Sequence, residues 1–289
     1  MPNNIVLIKK YIDLLDEVYK NASLTTNLEA NPATVRMGNS ANEILIAKMD
    51  MDGLGNYSRQ EGYASGSVDL TWETKTFNYD RGRRFTVDAM DNEETAAMSF
   101  GLLASEFLRT KVAPEIDAWR FSKYASLAGT SITADLSLPE DFCLAVNDAL
   151  TVMDEAEIPQ EGRLLYTTPT IYNKINMLDS YKSKEMFGKF SKVISVPQSR
   201  FYSDVDLLDG TKDDELEGGY RKSEDGKNLN FMIIHPASVI QFTKHRVNKT
   251  ITPELNQTAD AWMYFYRAYG ITEAYDNKKM GIYASVSEK

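Results

Sequence analysis

Tyr79-Asp80-Arg81-Gly82-Arg83-Arg84-Phe85, with the run that follows it to Gly129, decides how this chain is read. A knot of three arginines gives way at once to an acidic stretch and then to a long helical pattern. Asp91 stands as N-cap with Glu94 three residues on, the spacing of a capping box. Glu93 and Glu94 also suit the positive end of the helix dipole. Ala96, Phe100, Leu103 and Phe107 form an apolar stripe, and Ile116 and Trp119 continue it. If helical to Tyr124, the rod is about 50 Å long at about 1.5 Å per residue. Pro114 is expected to kink or interrupt it, and Gly129 to stop it. One element of that length, with no catalytic set around it, argues for a building block rather than a catalyst.

Upstream of the arginines, residues 43–79 read as a long two-stranded hairpin. Asp52-Gly53, Gly55-Asn56, Gly62 and Gly66 mark its tip. On the return strand Val68, Leu70 and Trp72 alternate with Asp69, Thr71 and Glu73, and then Phe77 and Tyr79 fall out of phase. That shift predicts a bulge, or a strand whose two ends bury opposite faces. An isolated hairpin is barely stable in water, so this one needs a surface to lie on, such as another subunit. Residues 4–20 read as a short amphipathic helix, and 21–42 as an extended arm.

Downstream, residues 130–245 read as a separate α/β region. A helix follows Pro139, and strands are expected at 163–167, 192–196 and 230–234. Thr168-Pro169 opens a further helix, and residues 203–228 form an exposed, mostly acidic loop. The tail, 246–289, reads as β, with Met280, Ile282, Ala284 and Val286 alternating.

Composition narrows the function classes. The net charge of −10 opposes a nucleic-acid binder, because phosphate affinity comes from clustered Lys and Arg. Enclosing nucleic acid without gripping it remains compatible with that charge. The one cysteine, Cys143, excludes an intramolecular disulfide and suits a reducing compartment. The apolar run Ile5-Val6-Leu7-Ile8 is too short for a signal peptide, and no stretch is long enough for a membrane span. The sequons at Asn21, Asn248 and Asn256 are therefore read as chance.

Candidate sites weaken on inspection. Asp50, Asp52, Gly55 and Glu61 fall at calcium-loop positions, but Leu54 takes a ligand position and the flanks read as strands. His235, ahead of Pro236, reads as a helix cap, and His245 sits in a basic patch with Lys244, Arg246 and Lys249. Cys143 lies on the apolar face of its helix. No phosphate loop or nucleophile elbow occurs, and with two histidines the commonest general base is nearly missing. No enzyme activity, cofactor or metal is expected. Arg81, Arg83 and Arg84 either pair locally with Asp80 and Asp88 or meet carboxylates of a neighbouring subunit, a task suited to guanidinium.

Several stretches resemble capsid proteins of phages of low-GC Gram-positive bacteria. They are the Tyr79–Phe85 run followed by Asp88, Val112-Ala113-Pro114-Glu115-Ile116-Asp117 with Phe121, Ile234-His235-Pro236, and Ala268-Tyr269-Gly270-Ile271. With the order of the parts, they make the chain similar to tailed-bacteriophage major capsid proteins of the Hong Kong 97-like fold. The resemblance implies an α+β chain in five parts. These are an N-terminal helix and arm (1–42), an extended hairpin loop (43–79), a peripheral domain with a spine helix (80–129), an α/β axial domain (130–245), and C-terminal strands (246–289) that complete the peripheral sheet. It further implies self-assembly into pentamers and hexamers of an icosahedral shell in the host cytoplasm. That shell would enclose double-stranded DNA without sequence-specific binding, and its partners would be a portal and either a separate scaffolding protein or a scaffolding segment since removed. Candidate inter-subunit contacts are Arg81, Arg83, Arg84, Trp72, Lys75, Glu93 and Glu94. Some family members cross-link Lys to Asn, and Lys48 and Lys75 lie in the hairpin. An encapsulin-like compartment shell and a soluble α/β enzyme are the alternatives.

Overall fold

A computed structural model describes residues 23–29, 36–37, 42–60, 62–90, 104–136, 138–177 and 185–288. The strands, in chain order, are β1 (Arg36–Met37), β2 (Glu43–Met51), β3 (Val68–Thr76), β4 (Tyr79–Asp88), β5 (Thr130–Thr133), β6 (Leu164–Thr167), β7 (Lys192–Ser195), β8 (Val205–Leu207), β9 (Tyr220–Lys222), β10 (Leu229–Ile234), β11 (Val239–Ile251), β12 (Ala261–Ala274) and β13 (Ile282–Val286). The α-helices are α1 (Ala113–Leu127), α2 (Pro139–Glu155) and α3 (Pro169–Asn176). Two sheets carry most of the core: a five-stranded one ordered β5-β13-β10-β6-β7, and a three-stranded antiparallel one ordered β11-β12-β4.

The five-stranded sheet is covered on both faces. Leu165, Phe231, Ile233 and Tyr283 turn towards Phe142, Val146, Ala149 and Met153 of α2. Their neighbours in sequence, Leu164, Tyr166, Met232, Ile234, Ile282 and Ala284, turn the other way onto Phe121 and Tyr124 of α1. This two-residue alternation is what lets one short strand feed two cores. It also explains why β13 is buried along its whole length. The tail therefore does not stay together: β12 joins the three-stranded sheet, whereas β13 enters the five-stranded sheet between β5 and β10. A strand apolar on both faces needs cover on both, and the five-stranded sheet supplies it.

The long helix serves both sheets. Residues 104–107 are α-helical, Leu108–Val112 form a π-helical turn, and α1 continues to Leu127. The start of the rod, with Asp91, Ala96, Phe100 and Leu103, lies outside the described residues. Ala104, Leu108, Val112 and Ile116 pack on Tyr264, Tyr266 and Ala268 of β12. The π turn sits just ahead of Pro114. Proline has no N–H for the carbonyl four residues back, and its ring collides with that carbonyl. The wider turn, closed by the Ala113 N–H on the Leu108 carbonyl, takes up the misfit and the rod goes on.

Gly129 ends the rod for a different reason from the one expected. Its N–H donates to the carbonyls of Lys279 and Ile282, at 3.0 and 3.1 Å. An added Cβ would lie 2.6 Å from the Lys279 carbonyl. The glycine is needed for close backbone approach, and no left-handed conformation is involved. The 203–228 stretch is also more ordered than an acidic loop: β8 and β9 pair within it, and Val205 is buried. Gly129→Ala is expected to lower stability by about 2 kcal/mol through overpacking. Chemical denaturation of the variant checks this, with Ala128→Gly as a control that adds no atoms.

Candidate functional site

The hairpin is a three-stranded piece, β1-β2-β3, rooted on the β11–β12 sheet. β2 and β3 pair antiparallel through nine residues each, so directly opposed residues share a face. Met49 faces Leu70 and Met51 faces Val68, with Trp72 next on the same side. All five are exposed in good part: Met49 is 58% exposed, Met51 63%, Val68 63%, Leu70 52% and Trp72 44%. The opposite face carries Asp50 opposed to Asp69, a like-charge pair that disfavours the isolated hairpin. Nearer the root that same face becomes apolar, and Ile44, 1% exposed, packs on Ile240 and Ile271. The apolar residues at the two ends of the hairpin thus lie on opposite faces, as the phase shift predicted, but only the face at the root is buried within the chain.

The other outcome, a bulge in a continuous strand, does not occur. The chain changes sheets at Phe77-Asn78, between β3 and β4. Asn78 fixes this corner: its side-chain amide donates to the Thr272 carbonyl at 2.9 Å and its oxygen accepts from the Thr272 N–H at 3.1 Å. Phe77 stacks on Tyr269 with ring centroids 4.8 Å apart, and the Lys244 ammonium lies 5.0 Å from the centre of the Phe77 ring. Lys75 reaches Glu73 at 2.7 Å and Asp276 at 3.2 Å. Shared hydrogen bonding with Glu73, then with Lys279 and Lys75, holds the Asp276 carboxyl well below the usual carboxylate range. The hydrogen bond to Glu73 raises Lys75, against the opposing effect of burial. Lys75 is therefore engaged within the chain, at the hairpin root.

The three arginines lie in the middle of β4, an edge strand of its sheet, and not at the corner where the hairpin leaves. They do not pair with Asp80 and Asp88. Asp80 is held by Arg267 at 2.7 and 2.6 Å, and those hydrogen bonds lower its carboxyl. Asp88 accepts from the Met90 N–H. Arg81 meets Glu115 of α1 at 2.9 Å and the Gly219 carbonyl at 3.2 Å. Arg83 donates to the Leu216 carbonyl at 2.8 Å. Its guanidinium lies against Gly210 and Gly218, both at positive φ, where side chains would collide with it. Together these contacts clasp the 208–219 loop onto β4, over a groove of about 1060 Å³ lined by residues such as Lys111, Arg200, Tyr202 and Lys222. The Arg84 side chain is exposed and makes no hydrogen bond or ion pair among the described residues. Glu93 and Glu94 lie outside the described residues.

The remaining sequence candidates take ordinary positions. His235 caps the turn at Pro236–Ser238, accepting from the Ala237 N–H through Nδ1 at 3.3 Å, and its Nε2 lies 3.1 Å from the Glu161 carbonyl. His245 is exposed on β11. Cys143 is half-buried against the α2 side of the core. The hairpin-tip carboxylates serve the turn: Asp52 accepts from the Ser67 N–H and Asp50 from the Met51 N–H. Glu61 lies outside the described residues. Among the described residues no group of three or more His, Cys, Asp or Glu could hold a metal ion, and no helix is long and apolar enough to cross a membrane.

Sequence reasoning missed Asn78 and the clasp. The glycine pair at 218–219 and Gly210, flanking an acidic run, were the available signal. Arg83→Ala is expected to speed proteolytic cleavage within residues 209–219 by about tenfold, since a hydrogen bond from a charged donor contributes about 1.5–3 kcal/mol. Arg84→Ala should leave the cleavage rate unchanged. Limited proteolysis with peptide mapping checks both.

No protein-family model and no curated protein sequence matches the chain. Solved structures do. The chain is similar to a chain of the bacteriophage PhiM1 mature capsid, with a TM-score of 0.60 and 10% identity over 88% of this chain and 85% of that one. It is similar to a chain of the cyanophage P-SCSP1u capsid, with a TM-score of 0.58 and 10% identity over 93% and 89%. A chain of a virus-like particle from Pyrococcus furiosus is similar at a TM-score of 0.57 and 14% identity over 96% and 99%. At such identities the likeness is one of backbone architecture, and it runs through nearly all of each chain. The mixed helix-and-sheet fold of this chain is a phage-capsid fold.

Proposed function

We propose that the chain is the major capsid, or head, protein of a tailed phage. In this reading copies associate into pentamers and hexamers of an icosahedral shell around double-stranded DNA, and the chain is structural rather than catalytic. The observation that carries it is the capsid-like architecture spanning about nine-tenths of the chain. The uncovered apolar face of the hairpin supports it: five large apolar side chains in one row are a poor surface for water and a good one for a second copy. In Hong Kong 97-like terms the hairpin is the extended loop, the rod is the spine helix, the β11-β12-β4 sheet belongs to the peripheral domain, and the five-stranded sheet belongs to the axial domain.

The net charge of −10 fits a wall that contains DNA without binding it tightly. A portal and a separate scaffolding protein are the further partners of this reading, with assembly in the host cytoplasm and the virion as the final location. Of the candidate contacts, Trp72 and Arg84 suit a neighbouring subunit best, because both side chains are exposed. Arg81, Arg83 and Lys75 have intramolecular duties that an assembled shell would keep.

A compartment shell enclosing protein cargo is the second reading, favoured by the near-complete mutual coverage with the virus-like particle chain. Electron microscopy of native particles separates the two: a tail and packaged DNA support the phage head, and a small tailless shell filled with protein supports the compartment. A chain that stays monomeric under all assembly conditions would sink both.

Leu70→Asp is expected to abolish particles while leaving the melting temperature of the unassembled chain unchanged, because the side chain is exposed until a second copy covers it. Burying an unpaired carboxylate there costs on the order of several kcal/mol per contact. Arg84→Glu should lower particle yield with the same unchanged melting. Negative-stain particle counts beside thermal melts check both variants, and normal yield from either counts against its assigned contact.

A further inference from the structure

Residues 23–29 are held in an unusual way. Among the described residues, no backbone-to-backbone hydrogen bond joins them to another element. The two they make, from Leu28 N–H to the Thr25 carbonyl and from Glu29 N–H to the Thr26 carbonyl, are internal. Side chains from three separate elements do the holding. Asp117 of α1, 0% exposed, accepts from Ser23 Oγ at 2.9 Å, from Thr25 Oγ1 at 2.9 Å and from the Leu24 N–H at 3.0 Å. Arg120, one turn on and 6% exposed, donates to Thr25 Oγ1 at 2.8 Å. Gln241 of β11, 0% exposed, donates to the Thr25 carbonyl at 2.9 Å and is itself oriented by the Tyr124 hydroxyl. Leu28, 2% exposed, enters the core between α1 and the five-stranded sheet. Lys192 of β7 reaches the Asn27 side chain at 3.4 Å.

This is how a bound peptide is recognised: two hydroxyls two residues apart, a carbonyl on a fixed donor, and one apolar anchor three residues further along. We propose that Asp117, Arg120 and Gln241 form a receptor site for the segment Ser23–Leu28, and that seating this segment is a step separable from folding. Once seated, it locks the long helix to both sheets. The site reads the Ser-x-Thr pattern because a buried carboxylate needs donors and a buried guanidinium needs an acceptor, and the Thr25 hydroxyl supplies both at once. Emptying the site would strip Asp117 of three of the four hydrogen-bond donors it has among the described residues, leaving Arg200 at 3.4 Å. A buried charge left in that state is strongly disfavoured, so an emptied site takes up any segment that restores the donors. The locking follows from geometry: Asp117 and Arg120 belong to the helix, Gln241 to β11 of the three-stranded sheet, and Leu28 to the core between the helix and the five-stranded sheet.

The test uses the full chain with Ser23→Ala and Thr25→Val together, followed by hydrogen–deuterium exchange. The expected result is exchange about tenfold faster in residues 23–29 and in α1, with β10, β12 and β13 unchanged. A synthetic peptide of residues 22–30, added in millimolar excess, should restore slow exchange in α1, whereas the same peptide carrying both substitutions should not. Thr25→Ser keeps the hydroxyl and should behave as the parent chain. If the double variant fails to fold, the near-isosteric Thr25→Val alone carries the same comparison. Uniformly faster exchange in every element, unchanged exchange in α1, or no restoration by the parent-sequence peptide would each overturn the proposal.

Discussion

The packing of one helix against two sheets is the constraint on which the rest of the molecule depends. Between Ala104 and Ile116 the rod buries its apolar face on β12, and between Phe121 and Tyr124 it buries it on the five-stranded sheet. Neither sheet is closed, and on its helix-facing side each relies on this shared element for cover. Pro114 sits within the first contact, one turn before the helix passes from β12 to the five-stranded sheet. The π turn before it lets the rod bridge them without breaking, because one extra residue in the turn relieves the proline ring and leaves the axis continuous.

Around that rod the polar side chains do two distinct tasks. One set tightens the chain on itself: the Asn78 corner, the Arg81–Glu115 pair, the Arg83 clasp and the Asp117 site each tie a peripheral segment to the rod or to the sheet packed on it. The other set is left facing outward. The apolar row Met49, Met51, Val68, Leu70 and Trp72 is largely exposed, and Arg84 is exposed on an edge strand. The hairpin is thus fixed at its root while its apolar face stays exposed, and a rigid root lowers the conformational freedom that any partner covering that face would have to remove.

Much of this was readable in residue order. The hairpin followed from the alternation of Val68, Leu70 and Trp72 between glycine-rich turns, and the rod from the apolar positions that run to Trp119. The His235 cap followed from Pro236 beside it. What escaped was everything that depends on partners distant in sequence. Arg81 meets Glu115, 34 residues away, and nothing local distinguishes that carboxylate from Asp80 next door. Asp80 is taken by Arg267, 187 residues on, because antiparallel pairing of β4 with β12 brings the two together. Asp117 reads as one more polar residue on a helix, yet it is fully buried and organises a segment 92 residues upstream.

The sequence by itself determined the elements and their apolar faces, since periodicity is local and a two- or four-residue spacing is visible in a short window. Tertiary structure alone decided which sheet each strand joins. The tail shows this best: β12 and β13 are close in sequence and both read as strands, but β13 is apolar on two faces and goes where both are covered. Tertiary structure also decided which arginines are spoken for. Guanidinium reaches whatever carboxylate or carbonyl the fold places beside it, so Arg81 and Arg83 became internal ties while Arg84 stayed exposed.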